Sequence, residues 1–83
     1  MLDKLIYEGI ELKKHTITSL DVPSYVEREL FEKWRTKCIV YLKDFSNEII
    51  VENFNEATKN NFESNLNRAL GILNGLKEYQ ETK

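Results

Sequence analysis

The sequence predicts an all-α fold, a small helical bundle of three main helices, and leaves a short additional helix open. Three segments repeat apolar residues every three or four positions, the period of a helix that buries one face. Hydrophobic residues are 41% of the chain and charged residues 31%, which is typical of a folded globular protein. At 83 residues the chain fits one domain and not two, so residues 1–83 are expected to form a single helical domain.

The first helix is predicted from Leu2 to about Lys14. Gly9 lies in the middle of its apolar face, where glycine costs about 1 kcal/mol of helix propensity relative to alanine. A structural reason for this glycine is therefore expected, namely the close crossing of another helix. The apolar face consists of Leu2, Leu5, Ile6, Gly9 and Leu12.

Residues 15–25 lose the helical period and are rich in β-branched and turn-forming residues, which indicates a connecting loop. Pro23 disfavours helical geometry at the preceding residue, and Ser24 with Glu27 has the spacing of a capping box. The second helix should therefore begin between residues 24 and 28. Its apolar face is Phe31, Trp34, Cys38, Tyr41 and Phe45, widened by Leu30 and Leu42.

A short helix containing Ile49, Ile50 and Phe54 fits the next segment, with Ser46 as its N-cap. Val51 and the asparagines nearby have low helix propensity, so the sequence leaves open whether residues 46–57 are helical. The third main helix is predicted from about Thr58 to Tyr79 or Gln80. Its apolar face is Phe62, Leu66, Ala69, Leu73 and Leu76.

Composition narrows the functional classes. No apolar run approaches the ~18 residues of a membrane span, and the N-terminus lacks the uninterrupted apolar stretch of a signal peptide. The single cysteine excludes an intrachain disulfide and suits a reducing compartment, so a cytoplasmic protein is expected. The net charge is −2, with basic and acidic residues balanced in the first 45 positions, which disfavours a generic nucleic-acid or membrane-surface binder.

Two residues carry reactive groups, and neither is predicted to be functional. His15 is the only histidine, and with Glu11 four residues earlier it supplies two ligands where a metal site needs three or four. Cys38 lies in the middle of the apolar face of the second helix, where a cysteine packs as a small hydrophobe. No catalytic residue, metal ligand or cofactor is therefore predicted.

Two clusters of charged residues are explained as ordinary surface residues. Glu48, Glu52 and Glu56 are spaced four apart, and a solvated acidic helix face explains them without a bound cation. The basic residues around Trp34 resemble a stacking and phosphate-binding arrangement, but on a helix they point in several directions. Glutamates interrupt them too. These basic residues are Arg28, Lys33, Arg35 and Lys37.

The outer helix faces are the predicted partner interface. Gly71 and Gly75 lie opposite the apolar face of the last helix, with Ser64 nearby, and small residues four apart permit close helix approach. Such a neighbour would be intrachain or intersubunit, and two tolerated surface glycines are the alternative. On the second helix, Val40 points away from the core face and Ile39 lies at its edge.

Three segments resemble a family of small bacterial α-helical domains of unknown function. The segments are Glu8-Gly9-x-Glu11-Leu12, then Phe31-x-x-Trp34-x-Thr36 with Tyr41-Leu42, then Gly71-Ile72-Leu73-x-x-Leu76-Lys77-Glu78. Members of that family occur alone in prophage or mobile-element regions, or N-terminal to defence-type effector domains. The resemblance implies an accessory or interaction module. It supplies no catalytic residues, and residues 46–60 have no counterpart in it.

The leading functional hypothesis is a non-enzymatic helical interaction or oligomerisation module, with a second copy or another protein as its partner. A chain of this size buries only about 60–65% of its unfolded surface, so self-association would add stability. The alternative is a small nucleic-acid-binding regulator that uses the basic residues of the second helix. An enzyme would need an intersubunit site, and no small-molecule substrate is indicated.

Overall fold

The computed structural model describes residues 1–82, and it confirms the predicted all-α bundle. The short helix that the sequence left open is present. The last residue of the predicted domain, Lys83, lies outside the described residues. The four helices are α1 (Leu2–Lys14), α2 (Arg28–Phe45), α3 (Glu48–Ala57) and α4 (Glu63–Glu81).

The four helices form a ring in which each runs antiparallel to its two neighbours. Helices α1 and α3 each pack between α2 and α4, from opposite sides. Side-chain contacts fix the directions: the start of α1 meets the end of α4, where Lys77 Nζ lies 2.8 Å from Asp3 Oδ1. At the other end of the bundle, Thr16 Oγ1 reaches Glu63 Oε2 at 3.5 Å. The arrangement is an up-down-up-down four-helix bundle.

Trp34 is at the centre of the hydrophobic core. Its ring centroid lies 6.1 Å from that of Phe31 and 5.9 Å from that of Phe54, both in tilted geometry. Its indole N–H donates to the backbone oxygen of Leu5 at 2.8 Å, which ties α2 to α1. A buried indole therefore keeps its hydrogen bond, as buried tryptophans usually do.

The predicted apolar face of α2 is confirmed for Phe31, Trp34 and Cys38, and in part for Tyr41, which packs against the core. It is wrong for Phe45. Leu42 is fully buried, whereas Phe45 is 61% exposed and Tyr41 is half-buried. The core face continues by a four-residue step from Cys38 to Leu42. Helix α1 begins level with Tyr41, so no turn of α1 lies opposite Phe45. Leu30, predicted to widen the face, is also exposed.

Gly9 confirms the expectation of a close approach, although side chains make it. A Cβ atom at this position would lie 2.6 Å from Leu70 Cδ2 and 2.7 Å from Trp34 Cζ2. These distances are shorter than van der Waals contact. Only glycine therefore lets α1 pack at this depth between α2 and α4.

The helix ends differ in detail from the prediction. Glu27 is the N-cap of α2 and accepts from the Leu30 N–H at 2.9 Å, so the predicted capping box at Ser24 is wrong. Ser46 donates to the Leu42 carbonyl at the end of α2, and Asn47 caps α3 instead. The last helix begins at Glu63 and not near residue 58, because Thr58 ends α3.

The connection between α1 and α2 is a loop, as predicted, and backbone hydrogen bonds hold its ends. Tyr25 forms isolated antiparallel bridges with Ile17 and with Phe62. Val26 N–H donates to the Asn61 carbonyl at 2.8 Å. The loop therefore fixes the start of α2 beside the start of α4, while its tip leaves Leu20 fully exposed.

Candidate functional site

A groove of about 320 Å³ lies between α1 and α2, at the end of the bundle where α1 begins and α2 ends. Because the two helices are antiparallel, the first two turns of α1 run alongside α2 from Thr36 to Tyr41, and Asp44 and Phe45 extend past the start of α1. We call this surface the α1–α2 groove. Its lining residues are Met1, Lys4, Leu5 and Glu8 from α1 and its N-terminal flank, and Thr36, Lys37, Val40, Tyr41, Asp44 and Phe45 from α2.

The α1–α2 groove is apolar and open to solvent. Val40 is 58% exposed, Phe45 is 61% exposed, and Met1 is also exposed. Tyr41 stacks on Phe45 with ring centroids 4.8 Å apart and an interplanar angle of 29°. Contiguous exposed apolar side chains of this kind mark interaction sites on small proteins more often than scattered single ones do.

Charged side chains of both signs form the edge of the groove. Lys37 Nζ lies 3.1 Å from Glu8 Oε2 and joins the two helices across it. The other oxygen of that carboxylate, Glu8 Oε1, is buried and has no hydrogen-bond partner among the described residues. Lys4 and Asp44 are exposed, and neither forms an ion pair within the described part of the chain.

The structure places the five predicted interface residues on separate surfaces. Val40 lines the α1–α2 groove, whereas Ile39 is half-buried and packs against the core. Ser64, Gly71 and Gly75 are exposed on α4, where Gly71 lies beside residues of α3. In the ring of helices the α3–α4 side is opposite the α1–α2 side, so one partner helix cannot cover both.

The two glycines of α4 have no close neighbour in the described chain. A Cβ atom added at Gly71 or at Gly75 would meet nothing within 4 Å. The intrachain form of the predicted close approach is therefore wrong, because α4 turns this face to solvent. The intersubunit form stays a prediction.

Phe45 and Tyr41 are the groove residues that the sequence argument assigned to the core. A helical period identifies a shared face but does not show how far the neighbouring helix extends. One signal was available: Tyr41 and Leu42 follow Cys38 at three and four residues, and Leu42 continues the centre of the core face while Tyr41 packs at its edge. The step to Leu42 leaves Tyr41 and Phe45 together on the flank toward α1.

Cys38 confirms the prediction of a core residue. Its side chain is fully buried. Burial and, to a smaller extent, the Glu8 carboxylate raise the pKa of Cys38 to about 12, against the lowering effect of Lys37. The thiolate is the reactive form of cysteine, so this thiol is inert at neutral pH.

We expect the Cys38 thiol to make folding stability fall at alkaline pH. The unfolded thiol loses its proton near pH 9, while the folded thiol keeps it until about pH 12. The folded state therefore binds more protons between these values, and this thiol removes about 1.4 kcal/mol of stability per pH unit above 9. Urea unfolding at pH 8 and pH 10 measures the difference, with Cys38→Ala as the control that lacks this contribution. Equal pH dependence of the two proteins, or rapid thiol modification of the folded chain at pH 7, would contradict it.

The remaining polar candidates stay on the surface. His15 is exposed at the C-terminal end of α1, while Glu11 pairs with Lys14 at 3.2 Å. Within residues 1–82 no group of three or more His, Cys, Asp or Glu side chains is arranged to hold a metal ion. The acidic row is exposed along α3, and Lys59 Nζ lies 3.2 Å from one of its members, Glu56.

The basic residues of α2 are largely engaged within the chain. Arg35 donates to Thr58 Oγ1 at 2.8 Å and to Asn55 Oδ1 at 2.9 Å, and so joins α2 to the end of α3. Lys37 pairs with Glu8, and Lys33 Nζ lies 3.5 Å from Glu29 Oε1. A phosphate backbone would have to compete with these partners, whereas Arg28 is exposed and has no ion pair among the described residues, so nucleic-acid binding stays an untested alternative.

Fold and groove together define a small antiparallel four-helix bundle with an open apolar groove between α1 and α2. Comparisons with protein-family models, with curated proteins and with solved structures give no match to this chain. The resemblance to small bacterial helical domains therefore stays a prediction. None of the helices in residues 1–82 is both long and apolar enough to cross a membrane.

Proposed function

We propose that this chain is a non-enzymatic helical interaction module that self-associates through the α1–α2 groove. The observation that carries the proposal is the exposed apolar cluster of Val40, Tyr41 and Phe45. The proposed setting is the bacterial cytoplasm, in agreement with the single reduced cysteine and with the family resemblance. The proposal gives no chemical role to His15 or Cys38.

Removing this apolar cluster from water provides the driving force. Burial of apolar surface contributes about 25 cal/mol per Å², and aromatic side chains supply the largest areas. The stacked pair of Tyr41 and Phe45 is already ordered by contact within the chain, so binding loses less side-chain entropy there. A partner that covers these two rings therefore gains most of the binding free energy that burial of the apolar cluster provides.

The charges at the edge of the groove favour a second copy of the same chain as the partner. Lys4 and Lys37 are balanced by Glu8 and Asp44, so the edge has no net charge of one sign. A strongly acidic or strongly basic partner would meet like charges on part of this edge. A second copy presents the same two signs and the same apolar cluster, which is the requirement of a two-fold symmetric contact.

The test is the oligomeric state of a groove variant. Val40→Glu places a carboxylate in the apolar cluster and should abolish association, because burying an unpaired charge costs several kcal/mol. Sedimentation equilibrium over a concentration series measures this. Leu20→Glu is the matched control, since it adds the same charge at an exposed leucine on the loop at the opposite end of the bundle.

A second control addresses the other predicted surface. The double variant Gly71→Ala with Gly75→Ala fills the small-residue face of α4 and should associate like the wild-type chain. If this variant loses association while Val40→Glu retains it, the interface lies on α4 and the groove proposal is wrong.

A further inference from the structure

The α2 side of the groove is self-complementary. Six lining residues occupy three successive turns on one flank of the helix, and their numbers are symmetric about a point between Val40 and Tyr41. When two such helices run antiparallel about that point, residues whose numbers sum to 81 lie at the same height along the two helix axes. The six residues, Thr36, Lys37, Val40, Tyr41, Asp44 and Phe45, then pair only among themselves.

We propose that two copies of this chain associate with their α2 helices antiparallel, about a two-fold axis midway between Val40 and Tyr41. This inference rests on the proposed function. It adds the register of 81, the alignment of the two α2 helices in which the numbers of paired residues sum to 81, and the ion pair between Lys37 and Asp44 that fixes this register. Lys37 faces Asp44 of the partner subunit, and Val40 packs on Tyr41 of the partner subunit. Thr36 and Phe45 lie about 180° apart around the helix axis, so they flank this contact at its two edges.

The geometry leaves both charged groups available for this pairing. Lys37 Nζ is held 3.1 Å from Glu8 Oε2, but 55% of its side chain is exposed. An ammonium group has three N–H donors, so it serves Glu8 and the carboxylate of the partner's Asp44 together. Asp44 is exposed and has no ion pair among the described residues. Because of the two-fold axis, the ion pair between Lys37 and Asp44 forms twice in the dimer.

A shift of the register by one turn is less favourable on chemical grounds. If the numbers summed to 77, Lys33 would face Asp44 of the partner subunit, but Lys37 would lie against the partner's Val40. A charge against the apolar cluster loses binding energy, so the register of 81 is preferred.

Mixing two charge-reversal variants tests the register. Lys37→Glu and Asp44→Lys each place two like-charge contacts in their own homodimer, and each should weaken association about 10-fold or more. In the mixed dimer both contacts become attractive. An equimolar mixture should therefore recover association to within about 3-fold of the wild type, as measured by sedimentation equilibrium of the separate variants and of the mixture.

The mixture controls for damage to the fold. Lys37→Glu brings a second carboxylate near Glu8, and this intrachain effect is still present in the mixture, so recovery cannot come from its repair. Urea unfolding of each variant checks that the monomer is folded. Lys33→Glu is the matched control: alone it should associate like the wild type, because Lys33 faces no residue of the partner's α2 in this register.

The outcomes separate this inference from the proposed function. Recovery by Lys37→Glu with Asp44→Lys alone supports the register of 81. Weakened association of Lys33→Glu alone, or no recovery in the mixture of Lys37→Glu with Asp44→Lys, overturns the register. The proposed function still stands in that case if the wild type forms a dimer that Val40→Glu abolishes. A wild-type chain that stays monomeric overturns both.

Discussion

Trp34→Ala should lower the free energy of unfolding by about 3–5 kcal/mol, the range measured when large buried aromatic residues are truncated. The ring is 3% exposed, packs against Phe31 and Phe54, and donates a hydrogen bond to Leu5 O at 2.8 Å. Its removal leaves a cavity where α1, α2 and α3 meet. Urea unfolding followed by circular dichroism measures the effect without relying on tryptophan fluorescence.

Phe45→Ala is the matched control for this prediction. Phe45 is on the same helix and 61% exposed, so its truncation should change the stability of the monomer by no more than about 0.5 kcal/mol. The loss of its stacking on Tyr41 is included in that range. A small effect at Trp34, or a large one at Phe45 in the monomer, would contradict the boundary of the core described here.

Gly9→Val should lower the free energy of unfolding by about 2–3 kcal/mol, because it forces atoms into occupied space. The first added carbon already lies 2.6 Å from Leu70 Cδ2 and 2.7 Å from Trp34 Cζ2. The leucine methyl can rotate away, but the indole ring is fixed by its packing and its hydrogen bond. Gly9→Ala should show the same sign with a smaller size, and urea unfolding measures both.

Gly71 and Gly75 are the controls for this prediction, because alanine at these positions should raise the free energy of unfolding. At Gly71 and at Gly75 an added methyl group meets nothing within 4 Å. Alanine should therefore stabilise each of these positions by about 0.5–1 kcal/mol through helix propensity alone. If Gly9→Ala stabilised the chain as Gly71→Ala does, the close packing of α1 at Gly9 would be refuted.

The helices could be predicted from the sequence because each buries a continuous face over several turns. The period located α1, α2 and the buried part of α4, and it marked Gly9 as a close-contact position. The helix ends were less predictable, since capping depends on which polar side chain the surrounding chain holds in place. The capping hydrogen bonds of α2 and α3 are therefore accepted by Glu27 and Asn47, and not by Ser24 and Ser46.

The groove was only partly predictable. Val40 was identified because it points away from the core face of its own helix, and this requires no tertiary information. Phe45 was not identified, because its exposure depends on where α1 begins. The apolar pattern of α2 contains no information about the start of α1. Gly71 and Gly75 have the spacing of a packing motif, but the structure places no neighbour within the described chain against them.

Sedimentation equilibrium of the wild-type chain is the most direct test of the claim that the α1–α2 groove binds a second copy. The weight-average mass should rise with concentration from that of one chain toward that of two, as expected for a small interface with a dissociation constant on the order of 10–100 µM. In the same series Val40→Glu should remain at the mass of one chain. A wild-type chain that keeps the mass of one chain up to high micromolar concentration would contradict self-association through this groove.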